Sequence, residues 1–423
     1  MRFGNSVVMA MLVALLCSTI TLAATPVEIT IGYYESTAGL GQYSITMEQL
    51  IQEFMEVNPH ITVKSTFTGY RAFFDRLPVE LAAGTGPDVW LCDGVLVDQY
   101  AAQGFALDLS DYVAALPNPE NYFGIENNRS PDGRLWAFPQ GIQSSALFYN
   151  KEQFDKAGVA YPTDKWTLDD LRANAKKLTV DANNDGVPEV YGYRSFNHIT
   201  EGWSSIIRSF GGGMLDAQRR NSKFNDPNTV AALQYMVDMI LVDRVSPPAT
   251  TSGPFNWFPN QLVSMQTGLY VRTDGANKAG FEYDVTAVPS GPAGRFNPVI
   301  INSWVINSRS SKAKQDAAWA WIEFFSSERA QQVWAELGEA VPVNRRVALS
   351  VFMQLRVPPA NRMAFVTGMD HAMTLDPNPV WSDWQAAATS ALTPAFRGQQ
   401  SVAEAALKAH EAVQVILDEF YKR

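Results

Sequence analysis

The sequence is poor in cysteine and in clustered positive charge. It has two Cys in 423 residues, Cys17 and Cys92, so a disulfide framework is excluded and packed cores must hold the fold. Lys and Arg number 33 against 43 Asp and Glu, which gives a formal net charge of -10. This balance excludes a basic surface for nucleic acid or anionic lipid. After the N-terminus, no apolar run has the length of a membrane span.

Signatures of catalysis are also scarce. There is no Gly-x-Ser-x-Gly elbow and no Walker loop, and the four His are dispersed, at His60, His198, His371 and His410. A glycoside hydrolase needs two carboxylates at a set separation, and Glu35 with Asp93 could supply them. A secreted hydrolase therefore stays as a minor alternative, and the chain is expected not to be an enzyme and to require no cofactor.

The N-terminus has the pattern of a secretory signal peptide. Arg2 precedes the apolar run Val7 to Leu16, and the small residues near Ala24 follow it. We expect residues 1–24 to be removed and the protein to be periplasmic. Bulky Leu residues precede Cys17, so a lipoprotein anchor is not expected.

The first part of the mature chain alternates strands with helices. The residue pattern predicts three strands with a helix after each of the first two, at Val27–Tyr33, Ile45–Val57, Ile61–Phe67, Phe74–Ala83 and Asp88–Cys92. This order favours an α/β fold with a largely parallel sheet covered by helices on both faces. Ligands bind at the carboxyl ends of such strands, which places a site near residues 33–37 and 92–94.

The stretch 181–192 reads DANNDGVPEVYG and has the spacing of the front of a calcium loop. Its candidate metal ligands are Asp181, Asn183, Asp185, the Val187 carbonyl and Glu189. The bidentate acid of the twelfth position is missing, because Gly192 stands there, and a strand is predicted over 189–194. The alternative is a polar turn with no metal. A calcium ion bound in this loop would stiffen the fold and would not perform chemistry.

Several segments, in order, resemble the family 1 extracellular solute-binding proteins, the maltose- and oligosaccharide-type receptors of bacterial ABC importers. They are LAAGTGPDVW (81–90), YAAQGFALDL (100–109), LWAFP (135–139), LFYNK (147–151), FDKAG (154–158), WTLDDL (166–171) and GEAVP (338–342). Together they extend over nearly the whole mature chain. Each segment is weak alone, so the resemblance is specific for the family and not for the ligand.

The resemblance implies two α/β lobes joined by a hinge, each a mostly parallel sheet flanked by helices, with the ligand in the cleft between them. The lobes would be discontinuous: 25–140 plus 288–338, and 141–287 plus 339–423. The chain would cross near 139–143, 281–288 and 337–342. The implied function is to capture a mono- or oligosaccharide as a monomer and to deliver it to the membrane permease of the importer. Glycerol 3-phosphate or another polyol derivative is the alternative ligand, and it would call on Arg272 and Arg345.

A sugar needs planar polar side chains for its hydroxyls and aromatic rings for its C–H face. The chain has 11 Trp and is 12% aromatic. Strand ends and the first crossing supply the first candidates: Tyr34, Glu35, Ser36, Asp93, Gln140 and Gln143. The second lobe and the later segments supply the others: Asn197, Trp203, Arg272, Asp274, Asn302, Trp304 and Trp384. Trp203 is the first choice for stacking on the ligand.

Overall fold

A computed structural model describes residues 25–35, 41–249 and 256–422. The predicted signal peptide, Cys17 and Ser36 lie outside these residues. In the described part, no helix is both long and apolar enough to span a membrane.

The strands run in the order β2-β1-β3-β7-β4-β5, with three further strands paired at the sides of this path. Their bounds are β1 Val27–Glu35, β2 Ile61–Gly69, β3 Val89–Cys92, β4 Phe138–Asn150, β5 Met265–Leu269, β6 Tyr283–Thr286, β7 Asn297–Ile306, β8 Val341–Pro342 and β9 Ala372–Met373.

The helices cover the sheet and connect its strands. They are α1 Gln42–Val57, α2 Tyr70–Ala83, α3 Val97–Ala102, α4 Ser110–Ala114, α5 Lys151–Ala157, α6 Leu168–Leu178, α7 Ser204–Ser209, α8 Pro227–Leu241, α9 Arg272–Ala279, α10 Lys312–Phe325, α11 Glu328–Leu337, α12 Arg345–Leu349, α13 Met363–Thr367, α14 Trp381–Phe396 and α15 Val402–Tyr421. The mixed α/β class predicted from the sequence is confirmed.

The first lobe is built on β1, β2 and β3, which pair in parallel as predicted. Its helices turn an apolar stripe to the sheet, for example Leu50, Ile51 and Phe54 of α1. The buried core of this lobe takes residues from 29–138 and again from 304–334. The chain must therefore return to the first lobe after it has built much of the second.

Two long strands carry the chain between the lobes. β4 starts in the first core and ends in the second, and β7 runs beside it in the opposite direction. Because β4 also pairs with β5 and β6 antiparallel, the sheet of the second lobe is not the parallel one expected. The second crossing lies on β7 and not near 281–288, since β6 occupies that segment and pairs with the second-lobe end of β4.

The second lobe closes over its own core of residues from 147–265 and 373–417. Its helix α6 begins with a capping box, in which Thr167 and Asp170 each accept a hydrogen bond from the other's backbone N–H. Thr167 is thus the N-cap of α6. The strand predicted over 189–194 is wrong: Val190 and Tyr191 each form one isolated bridge, to Val180 and Val263.

Candidate functional site

The first wall of the site forms where β1, β2 and β3 end. Asp93 follows β3, and its Oδ2 accepts a hydrogen bond of 3.0 Å from the hydroxyl of Tyr70, which follows β2. Its Oδ1 accepts from the Val95 backbone N–H at 3.3 Å. Burial raises the pKa of Asp93, and these two donors oppose the shift. Asp93 therefore lies at the predicted edge of the sheet, partly enclosed.

Aromatic rings crowd the same edge. The Tyr34 ring is buried beneath Tyr70, Phe73 and Phe74, with ring centroids 5.1 to 5.9 Å apart. Tyr34 therefore supports the wall from below and does not offer a face to a ligand. Tyr70 is 41% exposed and is the ring that faces outward.

Glu35 ends β1 and holds the start of α1. Its Oε1 accepts hydrogen bonds of 3.2 Å from the backbone N–H groups of Gly41 and Ser44. The side chain is half-buried. One carboxylate oxygen is thus used by the first turn of the helix, and the charge stays at the carboxyl end of the sheet.

The crossing strands form the floor. The Gln143 Nε2 donates to the Glu339 carbonyl at 2.6 Å, and its Oε1 accepts from the Val271 N–H at 2.9 Å. This side chain ties β4 to the segment before β8 and to the segment before α9. Gln140 is 1% exposed, and its Nε2 has no hydrogen-bond partner.

Glu201 and Arg272 form the second wall. Glu201 lies in a single π-helical turn, Ile199–Trp203, and is buried. Its Oε1 accepts from the Leu269 N–H at 3.0 Å and from the Arg272 Nε at 2.8 Å. Its Oε2 is buried and accepts no hydrogen bond. The Arg272 side chain is 29% exposed, so it covers the carboxylate from the solvent side.

A second guanidinium lies behind this pair. Arg194 is 3% exposed, and its guanidinium carbon stands 4.6 Å from the ring centre of Phe196 and 5.4 Å from that of Trp257. Its Nε and Nη1 have no hydrogen-bond partner. Burial lowers the pKa of Arg194 to about 10 against the opposing pull of Glu201, and burial also lowers the pKa of His198. Leaving such buried polar atoms unpaired costs free energy, so a ligand hydroxyl or a water that pairs with them is bound favourably.

The prediction that three tryptophans contact the ligand is corrected by the burial of all three. Trp203 and Trp384 lie at 0% exposure in the second core, and Trp304 at 0% in the first. Trp203 meets Phe224 edge-on with ring centres 5.5 Å apart, and its Nε1 donates to the Asn197 Oδ1 at 3.0 Å. These rings face the sheet or a neighbouring helix, so they pack in the cores and cannot stack on a ligand.

Of three further polar candidates, two are bound elsewhere. The Asn197 Nδ2 donates to the Thr389 carbonyl and the Thr393 hydroxyl, which fastens α14 to the lobe. Asp274 pairs with Lys278 along α9 at 2.9 Å. Asn302 lies half-buried on β7, opposite Gly141 of β4. Only Asn302 keeps a place at the floor.

Sequence reasoning missed Tyr70, Glu201 and Glu339. Tyr70 could have been found, because it follows a parallel strand just as Asp93 does. Glu201 could not, since its place depends on the π-helical turn. Glu339 lies close to Tyr43 of the first lobe: burial raises the pKa of that tyrosine, and the Glu339 charge raises it further.

The predicted calcium loop is held by its own hydrogen bonds. The carboxylates of Asp181, Asp185 and Glu189 accept from the backbone N–H groups of Gly186, Val187 and Ala182 at 2.8 to 3.0 Å. Among the described residues, no group of three or more His, Cys, Asp or Glu stands close enough to hold a metal ion. The polar turn accounts for these contacts, and calcium stays a prediction.

Comparison with known proteins gives consistent matches. The sequence model of the bacterial extracellular solute-binding proteins matches residues 40–332. A proposed binding protein of Brucella abortus is 25% identical over 385 residues, which cover 88% of this chain and 89% of that protein. The erythritol/L-threitol-binding protein of Mycolicibacterium smegmatis is 22% identical and matches 74% of this chain and 70% of its own length. The ABC substrate-binding protein of Listeria monocytogenes in complex with cycloalternan superposes with a TM-score of 0.77 at 22% identity, over 94% of this chain and 99% of that one.

Proposed function

Because the chain belongs to the bacterial extracellular solute-binding protein family, we propose that it captures a neutral carbohydrate or polyol between its lobes and delivers it to the permease of an ABC importer. The observation that carries the proposal is a set of paired polar side chains at strand ends of both lobes and on the crossing strand β4. Asp93 and Tyr70 come from the first lobe, Glu201 and Arg272 from the second, and Gln143 from the floor.

Charge supports a neutral ligand. The proposed site has carboxylates at Glu35, Asp93 and Glu339 and a fourth, Glu201, beneath Arg272, whereas the Nε of Arg272 is already committed to Glu201. A phosphate group would meet this excess of negative charge at short range, where like charges repel strongly. Hydroxyl groups pair with carboxylate and guanidinium alike, since each hydroxyl both donates and accepts.

Glycerol 3-phosphate, the anionic alternative, lacks Arg345 as its second cationic contact. The Arg345 guanidinium lies 4.0 Å from the ring centre of Phe123, whose backbone N–H bonds to Val343 beyond β8. It is therefore engaged at the flank of the crossing strands. Glycerol 3-phosphate would have to rely on Arg272 and the enclosed Arg194.

Two of the similar proteins support the same ligand class. One is an erythritol/L-threitol-binding protein and the other was solved in complex with cycloalternan, and all of these compounds are uncharged. The chain's membership of a family of binding proteins favours binding without turnover. We propose in addition that the protein acts as a monomer and that it is exported with the loss of residues 1–24.

A ligand screen tests the proposal. Purified protein is heated with erythritol, mannitol, glucose, maltose, maltotriose and glycerol 3-phosphate, because a ligand that binds only the folded state raises Tm. Calorimetry of the hits should give one site per chain, and chromatography should recover the saccharide unchanged. Arg272→Ala should weaken the neutral hit, with Arg346→Ala, a change at an exposed pair with Glu328, as the matched control.

Two results would refute this assignment. Tighter binding of glycerol 3-phosphate than of every neutral compound would establish the anionic alternative. Release of shorter products from maltotriose would establish a hydrolase.

A further inference from the structure

A short segment of the first lobe reaches into the second. The turn Gly94–Leu96 follows Asp93 and contacts α14 of the second lobe. The Val95 side chain is 5% exposed and belongs to the second core, although the backbone on both sides of it belongs to the first lobe. Burial of an apolar side chain across the lobe boundary favours the lobe arrangement of this structure, which we take as the closed one, because separation of the lobes would return Val95 to water.

An ion pair crosses the boundary beside this turn. The Asp98 Oδ2 lies 3.3 Å from the Arg219 Nη1, and the two side chains are 14% and 16% exposed. The same nitrogen donates to the Pro377 carbonyl at 2.7 Å, and the Asn378 Nδ2 donates to the Arg219 carbonyl at 3.1 Å. Asp98 belongs to α3 of the first lobe, whereas Arg219, Pro377 and Asn378 belong to the second. The pair is therefore made only when the lobes meet.

We infer that Asp98 and Arg219 are affinity-determining residues that act outside the ligand cleft, by setting the free energy of lobe closure. The inference rests on the proposed function only in that closure is coupled to ligand capture.

The sign of the effect follows from desolvation. Closure takes both charges out of water but returns a single contact of 3.3 Å, not a bidentate pair. Desolvation of two charges can outweigh the attraction of a single contact, and burial does raise the pKa of Asp98 although Arg219 opposes the shift. The pair therefore opposes closure at neutral pH, while Val95 favours it.

Asp98 and Arg219 line a cavity of about 590 Å³, and other charged groups face it. Asp132 and Arg134 reach it from the 130–136 loop, Arg220 from the turn after Leu215, and Tyr421 from the end of α15. Burial raises the pKa of Asp98 to about 6, with Arg219 opposing the shift and Asp132 adding to it. Asp98 is exposed to water in an open form, so its pKa there is near the ordinary value of 3.8. The closed form then binds the proton more tightly, and acidification favours closure.

The closed fraction can be measured without any ligand. Spin labels on Val79→Cys in α2 and Val415→Cys in α15, both exposed, report the distance between the lobes by pulsed electron resonance. Between pH 8 and pH 5 the closed-to-open ratio should rise by about tenfold, from a pKa of about 6 against 3.8. Asp98→Asn should show the high ratio at both pH values. Arg219→Gln should lower the ratio at pH 8, because Asp98 is then buried without its cation.

Glu28→Gln is the matched control, since Glu28 and Lys64 form an exposed pair at 2.8 Å within the first lobe. This variant should behave as the parent does. The inference would be overturned if the Asp98→Asn variant and the control had equal closed-to-open ratios at both pH values. It would also be overturned if acidification lowered this ratio in proteins that keep Asp98 and not in Asp98→Asn.

Affinity completes the test. Titration of maltose, mannitol and erythritol into the same variants should give a Kd that tightens as the closed fraction rises. A Kd that does not change with the closed fraction would overturn the affinity-determining role of Asp98 and Arg219. Failure of the proposed function is a different result: none of the three compounds would bind, while the closed fraction would still depend on Asp98.

Discussion

Truncation of Glu201 should cost stability in an amount that the surrounding contacts define. Glu201→Ala leaves the buried Leu269 N–H without its acceptor, and an orphaned buried donor costs about 1–3 kcal/mol. The lost side-chain carbons add about 1 kcal/mol of burial and cavity. The Arg272 side chain is 29% exposed and can return to water, so the broken ion pair adds little. The expected loss in the free energy of unfolding is about 2–4 kcal/mol.

Glu201→Gln separates the hydrogen bond from the charge. Its amide oxygen can still accept from the Leu269 N–H, so about 1 kcal/mol or less of stability should be lost. Urea unfolding followed by tryptophan fluorescence measures both variants, and the change appears in the midpoint at constant slope. Equal losses in the two variants, or a loss below about 0.5 kcal/mol for Glu201→Ala, would refute the reasoning from the orphaned donor. Both variants should also bind the saccharide found in the screen more weakly than the parent.

Three further outcomes are expected. Tyr70→Ala should weaken saccharide binding about fivefold to tenfold by loss of a ring surface at 41% exposure, whereas Tyr70→Phe, which keeps the ring, should lose less; equal losses would contradict stacking. Gly94→Ala should reduce affinity and the closed fraction, because a Cβ there would stand 2.3 Å from the Ile301 carbonyl oxygen of β7, and unchanged calorimetric binding would count against this clash. The free energy of unfolding should fall as pH drops from about 7 to 5, because burial lowers the folded pKa of His198 below its unfolded value and the unfolded chain takes the proton first. His198→Asn keeps a side chain that can cap the helical turn. In urea titrations this variant should lose part of the dependence of stability on pH.

The sequence predicted the first lobe better than the second. Strands and helices around β1, β2 and β3 follow local periodicity, so Asp93 at the end of β3 was within reach. In the second lobe, β4 pairs with strands more than 100 residues away in sequence, and no local pattern records the register. The antiparallel sheet and the crossing on β7 were missed for that reason.

The tryptophans show where prediction of site residues from sequence fails. A ring such as Trp203 looks the same in sequence whether it faces a core or a cleft, and its 0% exposure follows from tertiary packing alone. Burial likewise decides Trp304 and Trp384. Tyr70 is exposed because it begins α2 at the rim of the sheet, a place that the strand-end rule reaches.

The return of the chain on β7 has a consequence for the order of folding during synthesis. β3 of the first lobe has β7 as its partner on one side, and α10 packs against β1, so that lobe lacks a strand and a covering helix until residue 325 has been made. The core of the second lobe in turn includes Trp384 and Leu417. Neither lobe can be completed by a nascent chain that ends near residue 290. Ribosome-bound chains of that length should remain open to proteases, and chains that end within 147–265 should lack both lobes.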